Sequence, residues 1–174
     1  MPDVPSIGEL PMNPARYEFS LFADYFQFYL QDDSPGVGTE NPWTEQATND
    51  MLAVAHGYVI VGTARNMTVP VALEVYDSDP GYIPEEWDHV TECSMEVRSG
   101  KIVVAGCTDY FPDATRIQVG PGPYAIRVLY GDLDKLSWSG LEGEDHYLVM
   151  MWPGRPTPPR VVKRRPPSSK GRGP

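Results

Sequence analysis

The alternation that decides the fold class lies in residues 87–97, which read WDHVTECSMEV. Alternate side chains of this stretch, including Cys93 and Met95, fall on one face, and most of them are apolar. The intervening side chains, including Glu92 and Glu96, are mostly charged or polar. A period of two residues is typical of a β-strand with one buried face and one solvated face. The sequence therefore predicts a strand here, with Cys93 on its inner face.

The residues that follow this strand suggest a hairpin. A tight turn at 99–100, which read Ser-Gly, would place Val97 opposite Ile102 and return the chain along a second strand. In that register Cys93 faces Gly106, whereas Cys107 points to the other side of the sheet. Because side chains on opposite faces do not meet disulfide geometry, we expect both thiols to be reduced.

Six further segments have strand-like patterns, at 17–30, 58–64, 69–76, 115–119, 123–130 and 146–152. The first is apolar on both faces, which indicates either a central strand or a strand bent so that its two ends serve different layers. The second and third suit another hairpin. Eight short strands with frequent Pro and Gly turns predict a mostly β fold, an antiparallel β-sandwich in preference to a closed barrel.

The rest of the chain divides around this domain. One short helix is expected near residues 44–53, with Thr44 as its N-cap. Residues 1–16 are rich in proline and predict an irregular N-terminal arm. The sandwich should occupy 17–153, and 154–174 should form a disordered basic tail rich in Pro and Arg, because it has too few apolar side chains to bury.

Charge is distributed very unevenly along the chain. Seven of the 14 Lys and Arg residues follow Gly154, and none of the 24 Asp and Glu residues does. The tail therefore carries +7, and the first 154 residues carry −17 with His neutral. Such a body repels nucleic acid and anionic membranes and attracts basic partners. The tail could touch nucleic acid or acidic surfaces, or fold back on its own body.

Targeting signals are not evident in the sequence. The N-terminus has no basic patch followed by an apolar run, and no stretch approaches the roughly 18 apolar residues that a membrane span requires. We therefore expect a cytoplasmic protein without a membrane partner.

Catalytic patterns are equally sparse. The three histidines, His56, His89 and His146, share no ligand spacing that is typical of a zinc site. Cys93 and His89 could be neighbours on one strand face, but a buried thiol beside a buried imidazole is more often structural than nucleophilic. We expect no catalytic residues, no resident metal and no cofactor, and so a protein that is not an enzyme.

The acidic turns offer better candidates for function. Exposed aromatic side chains among carboxylates are typical anchors of protein interfaces, and an acidic surface selects basic partners. The candidate partner-binding residues are Asp77, Asp79, Tyr82, Glu85, Glu86, Asp132, Asp134, Trp138, Glu142, Glu144 and Asp145. Carboxylates two residues apart on loops could alternatively bind calcium, although none of these loops matches the twelve-residue calcium loop.

The order of features resembles the bacterial competence protein J family, inhibitors of a DNA-entry nuclease. The more specific part of the resemblance is SLFADYFQF at 20–28, WTEQA at 43–47, residues 53–57 and Arg-Asn at 65–66. Looser similarity continues through 69–75, 97–104, 122–126 and 146–149, so the resemblance spans roughly 17–153. The connection 106–112, the loop 131–145 and the basic tail depart from it.

The resemblance implies a β-rich inhibitor of a nuclease, and no contact residues are carried over from the family. Together with the acidic body, it favours a protein-binding module that blocks a basic nuclease or similar effector by steric and electrostatic means. A calcium-binding β-sandwich with a structural or regulatory role is the alternative.

Overall fold

The computed structural model describes residues 13–81, 83 and 85–166, which form two β-sheets and one short α-helix. The helix α1 spans Glu45–Asp50. The strands of the described residues are β1 (Ala15–Phe22), β2 (Gln27–Asp32), β3 (Leu52–Ala55), β4 (Tyr58–Gly62), β5 (Thr68–Val75), β6 (His89–Val97), β7 (Lys101–Gly106), β8 (Thr115–Gln118), β9 (Gly122–Gly131), β10 (His146–Pro153) and β11 (Arg160–Lys163).

The two sheets hold six and five of these described strands. The larger sheet has the order β1-β5-β10-β9-β6-β11, and the smaller has the order β3-β4-β2-β7-β8. Neighbouring strands are antiparallel except β5 and β10, which run parallel. The expected antiparallel architecture is therefore correct for most pairs and wrong for this one.

One buried cluster fills the space between the sheets. It combines Cys93, Met95 and Val97 of β6 with residues of the smaller sheet such as Phe28 and Val104. These side chains follow the period of two that the sequence shows, because every second residue of a strand points to the same face. Side chains from two sheets in one core are the arrangement of a β-sandwich.

The outer faces of both sheets are also covered. Tyr29, Ala53 and Val103 form an apolar cluster on the smaller sheet, against which Trp43 and Phe111 pack. A third cluster on the larger sheet includes Leu129 and Trp152, and Ile83 and Trp87 pack against it. Both sheets therefore bury apolar residues on two sides, which explains why several strands are apolar on both faces.

The segment 17–30 is bent, as one of its two interpretations predicted. β1 ends at Phe22 in the larger sheet, a 3-10 turn covers Asp24–Phe26, and β2 begins at Gln27 in the smaller sheet. Tyr25 and Phe26 both have φ of 59°, a left-handed conformation that is uncommon outside glycine. The chain crosses between the two layers at this point.

Both expected hairpins are wrong. β6 pairs with β9 and β11 in the larger sheet, while β7 pairs with β2 and β8 in the smaller one. β4 and β5 likewise belong to different sheets. Each turn instead carries the chain from one sheet to the other. The flanking strands therefore face each other across the core and do not pair within one sheet.

The helix prediction is largely correct, and the strand count is too low. Thr44 caps α1, since its Oγ1 accepts the N–H of Ala47 at 3.0 Å. The helix ends at Asp50, and β3 begins two residues later. Eleven strands in the described part of the chain replace the expected eight because 17–30 is divided, and because β3 and β11 were not foreseen.

The ends of the chain differ from expectation where the structure describes them. Residues 1–12 of the expected arm and residues 167–174 of the expected tail lie outside the described residues. Ala15 and Arg16 begin β1 and do not belong to an irregular arm. Part of 154–174 forms β11, whose main chain pairs with β6, and Arg160 and Arg164 pair with carboxylates of Glu92 and Asp50.

Within the described residues, no helix has the length and apolar character needed to cross a membrane.

Candidate functional site

The loop 131–145 between β9 and β10 forms a small projection with an exposed tryptophan. Its two arms pair through an isolated bridge between Leu136 and Gly143, and the N–H of Ser137 donates to the carbonyl oxygen of Glu142 at 2.8 Å. Trp138 is 99% exposed, and Leu141 is 59% exposed. An ordered turn therefore presents a large apolar side chain to solvent, which is a typical anchor for an interface.

A buried ion pair holds the base of this loop. Arg65 Nε lies 2.5 Å from Asp145 Oδ1, and the side chains of the two residues are 7% and 0% exposed. The hydroxyl of Tyr147 donates to Asp145 Oδ2 at 2.7 Å and accepts the N–H of Ala64 at 2.7 Å. Arg65 also donates to the carbonyl oxygen of Leu141 at 3.2 Å, which ties the tip of the loop to its base.

The segment 85–88 lies against the same loop. The ring of Trp87 packs on that of His146 with centroids 5.0 Å apart. The carboxylate of Asp88 accepts the N–H of Leu133 at 2.9 Å. Glu85 and Glu86, which are both exposed, directly precede Trp87 in this segment.

The predicted site residues fall into three groups. Glu85, Glu86, Asp132, Asp134, Trp138, Glu142 and Glu144 belong to the two adjoining segments, which we call the acidic surface. Asp77 and Asp79 lie on another turn, where Asp79 accepts the N–H of Gly81 and lies 3.8 Å from Arg127. Asp145 contributes no carboxylate to the surface because it is buried, and Tyr82 lies outside the described residues.

The negative charge of the acidic surface is partly balanced locally. Lys135 Nζ lies 3.0 Å from Asp132 and 3.8 Å from Glu144. His146 Nδ1 is 3.8 Å from Asp132. The surface is thus a mixed acidic and aromatic patch, and its carboxylates are not all available to the same partner.

The basic tail meets this surface, an outcome that the sequence left among several alternatives. Lys163 Nζ donates to the carbonyl oxygens of Glu85 and Trp87 at 3.0 and 2.5 Å. Arg165 pairs with Asp134 at 3.0 Å. The signal in the sequence was the opposite charge of tail and body, which indicates attraction but not where the contact forms.

A second exposed aromatic group was not predicted from the sequence. Phe22, Tyr25 and Phe26 are 40%, 73% and 53% exposed at the crossing between β1 and β2. The alternating pattern of 17–30 concealed this turn, because aromatic residues have a high strand propensity. The Asp24 side chain, which accepts the N–H of Tyr25 at 3.0 Å, was the available hint of a turn.

The buried thiol and imidazole of β6 have structural surroundings. Burial raises the pKa of the Cys93 thiol to about 12, so the thiol is protonated at neutral pH. His89 Nε2 donates to the carbonyl oxygen of Asp50 at 2.8 Å, and Nδ1 accepts the N–H of Arg165 at 3.1 Å. Both cysteines are free, and both nitrogens of His89 are occupied.

In the part of the chain that the structure describes, no group of three or more His, Cys, Asp or Glu side chains is placed to hold a metal ion.

The described residues form a mostly β fold with two packed sheets, one short helix and a projecting acidic loop. The sequence matches no protein-family model and no curated protein. Two solved structures share its fold.

The first is the crystal structure of ComJ from Bacillus subtilis, described as an inhibitor of the DNA degrading activity of NucA. It matches with a TM-score of 0.60 and 14% sequence identity over 80% of this chain and 96% of ComJ. The second, crocagin biosynthetic gene J, matches with a TM-score of 0.56 and 18% identity over 83% of this chain and its own full length. The resemblance to the competence protein J family is thereby confirmed at the level of the fold.

Proposed function

We propose that this chain is a protein-binding domain whose acidic surface engages a basic protein, and that the partner is a nuclease. The observation that carries the proposal is Trp138, 99% exposed at the tip of an ordered acidic loop. A nuclease that holds DNA needs a basic cleft, because DNA carries a dense row of phosphate charges. Glu142 and Glu144 follow the loop tip on one arm and would complement such a cleft.

The shared fold of ComJ supports the nuclease form of the proposal, because ComJ is described as a nuclease inhibitor. A binding domain of this kind would act by blockade, without turning over a substrate. The loop would enter the cleft, its carboxylates would speed the encounter, and Trp138 would supply the buried contact. The buried Arg65–Asp145 pair would keep the loop in one conformation, which lowers the entropy lost on binding.

The test is inhibition of DNA degradation by purified nucleases of the source organism, with the intact chain as inhibitor. Nucleases would first be recovered by capture on the chain at low salt and eluted with rising salt. Trp138→Ala should weaken inhibition by about 2 kcal/mol, roughly 30-fold, which is the size expected for an interface anchor.

Tyr110→Ala is the matched control, because Tyr110 is also an exposed aromatic residue, 70% accessible, on a different loop. This variant should inhibit as the parent does. If no nuclease is inhibited by the chain, the nuclease form is wrong. If Trp138→Ala and Tyr110→Ala inhibit equally well, the acidic surface is the wrong site.

A further inference from the structure

The segment 160–165, which reads RVVKRR and which we call the basic segment, contains β11, one of the two edge strands of the larger sheet. β11 pairs antiparallel with β6, with Arg160 opposite Glu92 and Val161 opposite Thr91. The register shifts between Val161 and Lys163, where the strand has an irregularity. Without this segment, β6 would be an edge strand with unpaired N–H and C=O groups.

The cations of the basic segment each meet a separate acceptor on the body. Arg160 donates to Glu92 Oε2 from two nitrogens, at 3.0 and 2.5 Å. Arg164 lies 2.7 Å from Asp50, and Arg165 lies 3.0 Å from Asp134. The basic segment therefore pairs with three carboxylates from different parts of the body: Glu92 on β6, Asp50 at the end of α1 and Asp134 in the 131–145 loop.

The cations of the basic segment offset the cost of burying two of these carboxylates. Burial alone would raise the pKa of Glu92, but hydrogen bonds from Arg160 and Arg127 lower it overall. The same holds for Asp50, where burial is outweighed by hydrogen bonds from Arg164 and Gln46. The arginines of the basic segment therefore favour the charged form of both carboxylates.

The attachment of the basic segment is of an exchangeable kind. Val162 is 41% exposed, so the segment buries little apolar area. Arg160 and Arg164 have side chains that are 68% and 51% exposed in their ion pairs. Their partner carboxylates, Glu92 and Asp50, are more buried, at 15% and 21% exposed, but the cations face solvent. These ion pairs should therefore weaken with salt, and main-chain pairing acts together with salt-dependent electrostatics to hold this strand.

We propose that the β6 edge, together with Asp50, Glu92 and Asp134, is a binding site for an extended basic segment, which the chain's own basic segment occupies until a partner's replaces it. The site adds a strand to a sheet, so main-chain hydrogen bonds provide affinity and the three carboxylates select Arg and Lys. The partner it fits is a protein that presents an extended, cationic strand.

This proposal deepens the proposed function, on which it partly rests, because Asp134 belongs to the acidic surface and Lys163 contacts the segment 85–88. The basic segment therefore competes with a basic partner for part of that surface.

The first experiment uses a labelled peptide with the sequence of residues 158–166, PPRVVKRRP, and the full-length chain as receptor. In the wild type the attached segment competes at an effective concentration on the order of millimolar, so added peptide binds poorly. A full-length variant with Arg160→Ser, Lys163→Ser, Arg164→Ser and Arg165→Ser should bind the peptide at least tenfold more tightly, with affinity that falls as salt rises.

Two controls define the chemistry. A peptide with Ser at the four cationic positions should not bind. Adding Asp50→Asn, Glu92→Gln and Asp134→Asn to the tail variant should abolish binding of the basic peptide, while circular dichroism checks that the fold is retained. Equal peptide affinity for the wild type and the tail variant, or no binding to a folded tail variant at low salt, would overturn the proposal.

The second experiment measures hydrogen exchange in the wild type. Amides of 160–163 should exchange at least tenfold faster than those of the β9·β10 ladder, because an exchangeable strand opens without global unfolding. Equal protection would show a permanent strand and contradict replacement by a partner. Neither experiment contains a nuclease. Failure of these two experiments would therefore not contradict nuclease inhibition through Trp138, and failure of the inhibition test would not contradict this binding site.

Discussion

Asp145 is a buried carboxylate whose charge is balanced by Arg65 and whose second oxygen accepts the hydroxyl of Tyr147. Removing one partner of such a pair leaves the other charge buried without compensation, which costs far more than the intact pair contributes. The pair also fixes the last residue of the loop that carries Trp138. A change at Asp145 should therefore affect stability directly and binding only through the loop.

Asp145→Asn should lower the free energy of unfolding by about 3 to 5 kcal/mol, the usual cost of an uncompensated buried charge. Urea unfolding followed by tryptophan fluorescence provides the measurement. Glu142→Gln, an exposed change in the same loop, should stay within about 0.5 kcal/mol of the wild type. Similar unfolding free energies for the two variants would mean that the Arg65–Asp145 pair does not support the fold.

His89 links stability to pH. Burial lowers its pKa below the ordinary value of 6.5; the hydrogen bond to the Asp50 carbonyl opposes this shift, and Arg164 and Arg165 add to it. His89 therefore stays neutral in the folded protein at a pH where the unfolded chain begins to take up a proton. Its contribution to stability is present above pH 6.5 and is lost as the pH falls from there through the folded pKa.

The unfolding free energy should accordingly decline below pH 6.5, with His89 contributing at most about 1.4 kcal/mol per pH unit. His89→Gln should have a shallower decline than the wild type between pH 6.5 and 5, whatever its absolute stability. His56→Gln, an exposed change, should keep the wild-type slope. Identical slopes for all three proteins would exclude His89 as the source of the pH dependence.

At the scale of elements, the sequence indicated where most strands lie but not which sheet each strand joins. The alternation in residues 87–97 was sufficient to find β6, because alternating apolar and polar side chains have the period of a strand. The pairing of β7 with β2 was not predictable. The inner face of β7 is buried whether β7 forms a hairpin with β6 or crosses to the other sheet. The helix start at Thr44 was predictable because capping is local.

The crossing between β1 and β2 depends on close packing at the end of β7. A Cβ atom added to Gly106 would collide with the backbone carbonyl oxygen of Phe22, which cannot yield as a side chain can. Gly106→Ala should therefore lower the unfolding free energy by about 1 to 3 kcal/mol, the usual cost of overpacking.

Thr108→Ala is the control for this prediction, because Thr108 is exposed in the connection that follows Gly106. Its unfolding free energy in urea should lie within about 0.5 kcal/mol of the wild type. If Gly106→Ala is as stable as the wild type, the backbone at the crossing between β1 and β2 can shift to accept the added methyl group.

At the scale of the whole molecule, the opposite charges of body and tail meet in one structure. The body carries −17 and the tail +7, and three cations of the basic segment pair with carboxylates of the body. The attached basic segment therefore competes with basic partners for the carboxylates of the body. The effective charge of the acidic surface therefore depends on whether the basic segment is in place.

The sequence by itself determined the β-class of the fold, the helix start at Thr44, the acidic loop with Trp138 and the opposite charge of the tail. These properties are local, because strand period, capping and charge can each be read from neighbouring residues. Only the tertiary structure decided which sheet each strand joins, that Asp145 is buried against Arg65, and that the basic segment pairs with β6. Each of these depends on contacts between residues about 70 or more positions apart or on the choice of sheet, and local patterns do not encode that choice.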